Sequence, residues 1–229
     1  MNVKKTLAMI VGLVVLGAAG LGAPGQAPRQ FLLFIDLTQN DLAGVGMSKT
    51  AALFFLDSEV GAEDQVALLT YSDIRGLKVR EELTTDHERV RKTVKGLAEI
   101  MGPAGDEFDW TATHRAHNYL EEIVGFAEGL EAVPGTKNIV YFTSGFPVCA
   151  YQNDWRFREL YDEMVQKFKD ARAPVFIVNA LGHRANILTI DERADFLLRK
   201  VAVGSGGLYF RDIALYKTIA QEIGKSAGF

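Results

Sequence analysis

Cysteine is nearly missing from this chain: Cys149 is the only one in 229 residues. An intramolecular disulfide is therefore impossible, and so is a metal site built from several cysteines. Cys149 reads as a small buried hydrophobe or, in an oxidising compartment, as half of an intermolecular disulfide. A basic excess is also absent. Twenty-five Lys and Arg against 29 Asp and Glu leave a net charge of −4, so no field exists to drive general nucleic-acid binding. Repeats, low-complexity tracts and internal linkers are lacking as well. What is present is a 48% hydrophobic composition with 24% charged residues, enough for one globular domain with a real core.

The first 30 residues stand apart. Lys4 and Lys5 precede an apolar run over 7–16, then small residues over 17–23, then a Pro/Gly/Gln linker. This is the layout of a secretory signal peptide over 1–23 with a linker over 24–30. An uncleaved membrane anchor is the rival reading, because the apolar stretch approaches the roughly 17–25 residues that span a bilayer. Either way the chain is expected to be exported and to lie in the periplasm, outside the cell or at the envelope. Membrane contact is expected only through this segment if it stays uncleaved.

Over 31–229, short apolar runs alternate with helical patterns. Strands are expected at 31–35, 65–72, 138–143, 174–180 and 207–210. LKVREEL over 77–83 alternates and reads as a half-exposed edge strand, its charge run guarding against pairing. Helices are expected at 48–59, behind a capping box at Thr85 and Glu88, over 191–202 and at the chain end. Two more carry Leu120, Ile123, Val124, Ala127 and Leu130, and Phe157, Leu160, Met164, Phe168 and Ala171. Such alternation predicts one doubly wound α/β domain: a mostly parallel sheet, helices on both faces and one antiparallel edge strand. Ligands of such sheets bind beyond the carboxyl ends of the strands. That rule singles out the loops at 36–41, 106–113 and 143–149.

FLLFIDLTQND, residues 31–41, ends a buried strand in Asp36 and continues with Thr38, Asn40 and Asp41. Alternating oxygens on a tight loop suit a hard cation such as Mg²⁺. The same oxygens can instead shape a turn by accepting backbone N–H groups, or the loop can recognise a partner without metal. Asp36-Leu37-Thr38-Gln39-Asn40 resembles the D-x-S-x-S loop of von Willebrand factor type A (vWA) domains. AALFFLDSEVGAEDQVALLTYS, VPGTKNIVYFTSGFP and VAVGSGGLYF resemble further segments of that family in order, across nearly the whole chain after residue 30. The branch it looks most like is the divergent, exported bacterial one.

The resemblance implies a protein-binding domain rather than an enzyme. It also implies a metal-ion-dependent adhesion site (MIDAS) at Asp36, Thr38, Asn40, Ser144 and a threonine of the middle loop, Thr111 or Thr113, for Mg²⁺ or Mn²⁺. The departures weaken that site: Ser144 stands where the family has an Asp, and Thr38 and Asn40 replace two serines. Protein contact is expected at the same edge, through Asp41, Trp110, Phe146 and Tyr151, although Trp110, Phe146 and Tyr151 can equally tuck onto the sheet.

Other chemistries leave thinner traces. Ser144, Asp154 and His183 follow the chain order of a hydrolase triad, and Cys149 is a second nucleophile candidate, but the nucleophile elbow G-x-S-x-G is missing. A hydrolase at Ser144 and His183, or a structural module of an envelope assembly, remain the alternatives. Gly204 to Gly207 lacks both dinucleotide spacing and a Walker lysine, so a tight turn is expected there. His114 and His117 sit at i, i+3 without the further ligands zinc requires.

Overall fold

Parity along the first strand decides how the rest packs. In the computed structural model, which describes residues 28–97, 110–146, 148–181 and 192–227, β1 (Gln30–Asp36) is buried from Phe31 onward. Phe31, Leu33 and Ile35 enter one hydrophobic core, and Leu32 and Phe34 enter the other. Asp36 falls on the Leu32/Phe34 side. A strand covered on both faces reads as an unbroken apolar run, which is why FLLFI shows no alternation. Burying each of these side chains contributes roughly 1.5–3 kcal/mol, and that surplus lets the strand carry one buried charge at its end.

Six strands form the sheet in the order β3-β2-β1-β4-β5-β6. Strands β2 (Gln65–Ser72), β4 (Lys137–Thr143), β5 (Val175–Asn179) and β6 (Tyr209–Phe210) run parallel with β1, and β3 (Gly76–Thr84) closes one edge antiparallel to β2. Helices α1 (Leu42–Ser58), α2 (His87–Lys95) and α7 (Tyr216–Ser226) cover one face. Helices α3 (Trp110–Leu130), α5 (Trp155–Asp170) and α6 (Glu192–Ser205) cover the other. A short helix, α4 (Val148–Asn153), leads from β4 into α5, and a 3-10 turn (Ile213–Leu215) leads into α7. The expected doubly wound sheet with an antiparallel edge is the observed one.

Boundaries moved where side chains cap helices. Helix α1 begins at Leu42 rather than 48, because Asp41 accepts the Gly44 amide and offsets two glycines that weaken the first turn. Asp86, not Thr85, caps α2 by accepting the Arg89 amide. Helix α4 was not expected at all. Strand β3 shifts register between Val66 and Leu68 and again between Leu68 and Leu69, a bulge that twists the exposed edge.

The expected linker at 24–30 ends inside the fold. The Arg29 guanidinium binds Asp64 (Nη2 to Oδ2 2.6 Å), the Glu59 carbonyl at 2.7 Å and the Gly224 carbonyl at 3.1 Å, and it lies over the Phe31 ring. Burial pushes the Asp64 carboxyl up, but the hydrogen bonds from Arg29 and Gly61 overcome this and hold it below its ordinary range. Residues 1–23, where a signal or anchor is expected, lie outside the described residues. Among the described residues no helix is long and apolar enough to cross a membrane.

Two glycines predict opposite outcomes for one substitution. A Cβ at Gly207 would sit 2.1 Å from the Val175 carbonyl oxygen, whereas one at Gly46, inside α1, meets nothing within 4 Å. Gly207→Ala is expected to cost about 2 kcal/mol or more by forcing the β6 turn off β5. Gly46→Ala is expected to stabilise by roughly 0.5–1 kcal/mol through helix propensity. Urea unfolding of the two variants beside the parent checks both signs.

Candidate functional site

Strand register builds the site. Phe34 pairs with Tyr141, so Asp36 and Thr143, two residues on in each strand, meet on the same face at the carboxyl end of the sheet. Asp36 is completely buried. Its Oδ1 accepts the amides of Thr38 and Gln39, both at 2.9 Å. Its Oδ2 accepts three hydroxyls: Tyr119 at 2.9 Å from α3, Tyr141 at 3.2 Å and Thr143 at 3.0 Å from β4. An ionised carboxylate offers about four lone-pair sites and no donor, so five donors fill it. Burial drives its pKa up, the backbone and hydroxyl hydrogen bonds pull against that, and the balance is about 6. The charge in turn pushes the Tyr141 phenol, already raised by burial, further above its ordinary range.

The neighbouring oxygens are committed too. Thr38 Oγ1 accepts the Asp73 amide at 2.9 Å. Asn40 is buried and spans the gap between β1 and β4: its Nδ2 donates to the Phe142 carbonyl at 3.1 Å, and its Oδ1 accepts the Ser144 hydroxyl at 2.7 Å. That gap is the topological switch point, where the chain leaves β1 toward one edge and β4 toward the other, the usual ligand crevice of such sheets. Here a side-chain amide bridges it. The Asp73 carboxylate lies 3.6 Å from Arg115. Among the described residues, no three His, Cys, Asp or Glu side chains cluster to hold a metal ion. The described residues do not fit a divalent cation: Asp36, which lies between β1 and β4, has its lone pairs filled, and Ser144 contributes a donor where a second acid would contribute charge.

Of the expected ligand set, Asn40 and Ser144 bond each other, Asp36 bonds two amides and the hydroxyls of Tyr119, Tyr141 and Thr143, and Thr38 bonds the Asp73 amide. Thr111 and Thr113 fall in the first turn of α3, and their side chains are outside the described residues, as is that of Trp110, which opens this helix. One expected contact residue is corrected. Phe146 is 4% exposed and packs between Tyr119 (5.8 Å) and Tyr161 (5.3 Å, edge-on), so it is core. Tyr151 is half-buried, stacks edge-on against Tyr161, and its hydroxyl accepts from Lys200. Asp41 works as the cap of α1.

The hydrolase pairing finds no support either. Ser144 donates to an amide oxygen, which is no base, and His183 lies outside the described residues. The Cys149 side chain does as well. His114 is exposed, whereas His117 lies 2.9 Å from Asp154, an ion-pair distance without an aligned hydrogen bond.

Sequence reasoning missed Tyr119, Tyr141 and Thr143. The signal was there: a buried acid requires donors, and Tyr141 and Thr143 put hydroxyls at alternate positions of a strand opposite Asp36. It also missed the exposed apolar residues around the same edge. Leu42, Ile74 and Trp155 follow β1, β2 and β4, and Ile74 and Trp155 are 67% and 68% exposed. Phe196, in the first turns of α6, is exposed as well.

No protein-family model and no curated protein matches the chain. Solved structures do. An aerotolerance-related membrane protein from Bacteroides fragilis aligns at 12% identity over 86% of this chain and 99% of its own, with a TM-score of 0.50. Proximal thread matrix protein 1 from the mussel byssus aligns at 13% identity and TM-score 0.55 over 88% of this chain and 48% of its own, so this chain spans about half its length. The same byssus protein with a zinc-occupied MIDAS motif aligns at TM-score 0.52 and 12% identity. At such identities the likeness establishes the fold, which is vWA-like, a Rossmann-like α/β arrangement.

The caged carboxylate predicts a pH dependence with a definite sign. Its folded pKa of about 6 exceeds the ordinary 3.8, so the folded state holds the proton more tightly. The stability this contributes is complete below about pH 4 and is lost as the pH rises through about 6. Asp36→Asn, which cannot ionise, is expected to flatten that decline. Tyr141→Phe, which removes one donor, is expected to cost about 1–3 kcal/mol at neutral pH. Unfolding midpoints measured across this pH range check both.

Proposed function

We propose that this chain is an exported, non-enzymatic vWA-like module that contacts a protein partner through the carboxyl edge of its sheet. The observation that carries this reading is the apolar rim. Leu42 and Trp155, the first residues of α1 and α5, and Ile74, in the turn after β2, are large exposed side chains toward the carboxyl end of the sheet. Isolated exposed apolar residues are ordinary, but several gathered at the ligand end of a sheet suit a partner. Exposed aromatics also anchor protein interfaces disproportionately, and Trp155 is one. The vWA-like neighbours support a contact role, since one is a byssal matrix protein and another an aerotolerance-related membrane protein. The leader-like residues 1–23 support export and a periplasmic, secreted or envelope location. The partner surface moves from the residues first expected, Asp41, Phe146 and Tyr151, to Leu42, Ile74 and Trp155; Trp110 stays a candidate by its position at the start of α3.

Photo-crosslinking tests the surface. A crosslinking residue at position 155 or 74 is expected to give a discrete adduct in the native envelope. The same residue at Val203, equally exposed at the opposite end of α6, is expected to give none. Trp155→Ala is expected to abolish the position-74 adduct while changing stability by no more than about 0.5 kcal/mol. Adducts at 203 but not at 155 or 74 would rule the edge out.

A further inference from the structure

The geometry points to a vWA-like site in which the chain's own donors have taken the cation's place, so that it stays closed and works without a divalent metal. Three separate commitments carry this. Asp36 gives every lone pair to five donors drawn from β1's own loop, from α3 and from β4. A cation could gain that carboxylate only by displacing buried hydroxyls, and those of Tyr119 and Tyr141 would lose the acceptor they hold.

Asn40 is latched at both ends of its amide, to Phe142 and to Ser144. Turning its oxygen outward would break both bonds at once. Thr38 receives the Asp73 amide, which ties the β1 loop to the turn after β2. The loops after β1, β2 and β4 are thus joined by hydrogen bonds alone. Where an adhesion site recruits a metal to neutralise clustered acids, this one surrounds Asp36 with donors and sets Asp73 beside Arg115. The inference stands apart from the contact reading: it concerns what fills the crevice, whichever partner meets the rim.

The test is titration of Mg²⁺, Mn²⁺ and Zn²⁺ into the full chain by calorimetry, with thermal unfolding in chelator and in millimolar cation. The parent is expected to show no saturable heat assignable to this site and the same melting temperature with and without cation. Ser144→Asp, alone or with Asn40→Ser, breaks the latch and adds the second acid; it is expected to become cation-dependent, melting higher with metal than in chelator. The proposal is overturned if the parent binds cation saturably and Asp36→Asn abolishes the heat. Because Asp36→Asn can perturb folding, Mn²⁺ broadening of amide resonances in the unmutated chain supplies a second reading. Broadening confined to residues 36–41 and 143–145 would overturn the proposal, and its absence there supports it.

Discussion

Everything at the carboxyl edge depends on one buried negative charge and the donors that surround it. A carboxylate taken fully out of water is costly unless its lone pairs are filled. Asp36 meets that condition with two amides of its own loop and three hydroxyls from two other elements. The arrangement ties α3 and β4 to the end of β1 and sets the direction in which the chain enters α1. Asn40 then bridges β1 to β4 on the strength of that geometry. Loss of the acid would therefore disturb a whole edge of the sheet and not one contact.

The fold was legible because it rests on period and order. Five apolar runs separated by helical patterns specify a parallel sheet, and alternation over 77–83 specifies its antiparallel edge. Helix boundaries were harder because capping is a contact between a side chain and one particular amide. Asp41 looked like a possible partner-binding residue on a glycine-weakened stretch until its bond to Gly44 showed where α1 begins. The short helix α4 has too few residues to display a period.

The candidate site was half legible. Asp36, Thr38, Asn40 and Ser144 were read as a group because they stand near strand ends; Asn40 and Ser144 bond each other, whereas Asp36 and Thr38 bond other partners. Their chemistry was read less well, since oxygen atoms that can ligate a cation are the same atoms that accept hydrogen bonds. What decides between the two is the set of donors opposite them, and those donors come from residues 119, 141 and 143, remote in sequence from residue 36. Phe146 failed for a related reason: an aromatic in a loop reads as exposed, yet Tyr119 and Tyr161 form a slot that takes it in. Trp155 was overlooked because the helical pattern that begins beside it drew attention to its buried side.

Arg29 has a mechanical meaning. Strand β1 starts at the pole where the guanidinium grips Asp64, Glu59 and Gly224, and ends six residues later at the pole bearing Asp36 and the apolar rim. The two poles are separated by about 20 Å of extended chain. Tension arriving from residue 28 would be shared first among the α1–β2 loop and α7. It would then pass to the central strand as shear along its two parallel ladders, the direction in which many hydrogen bonds must yield together. Pull and contact would lie at opposite ends of one axis, so a grip at the rim would load the central strand, which is paired on both sides.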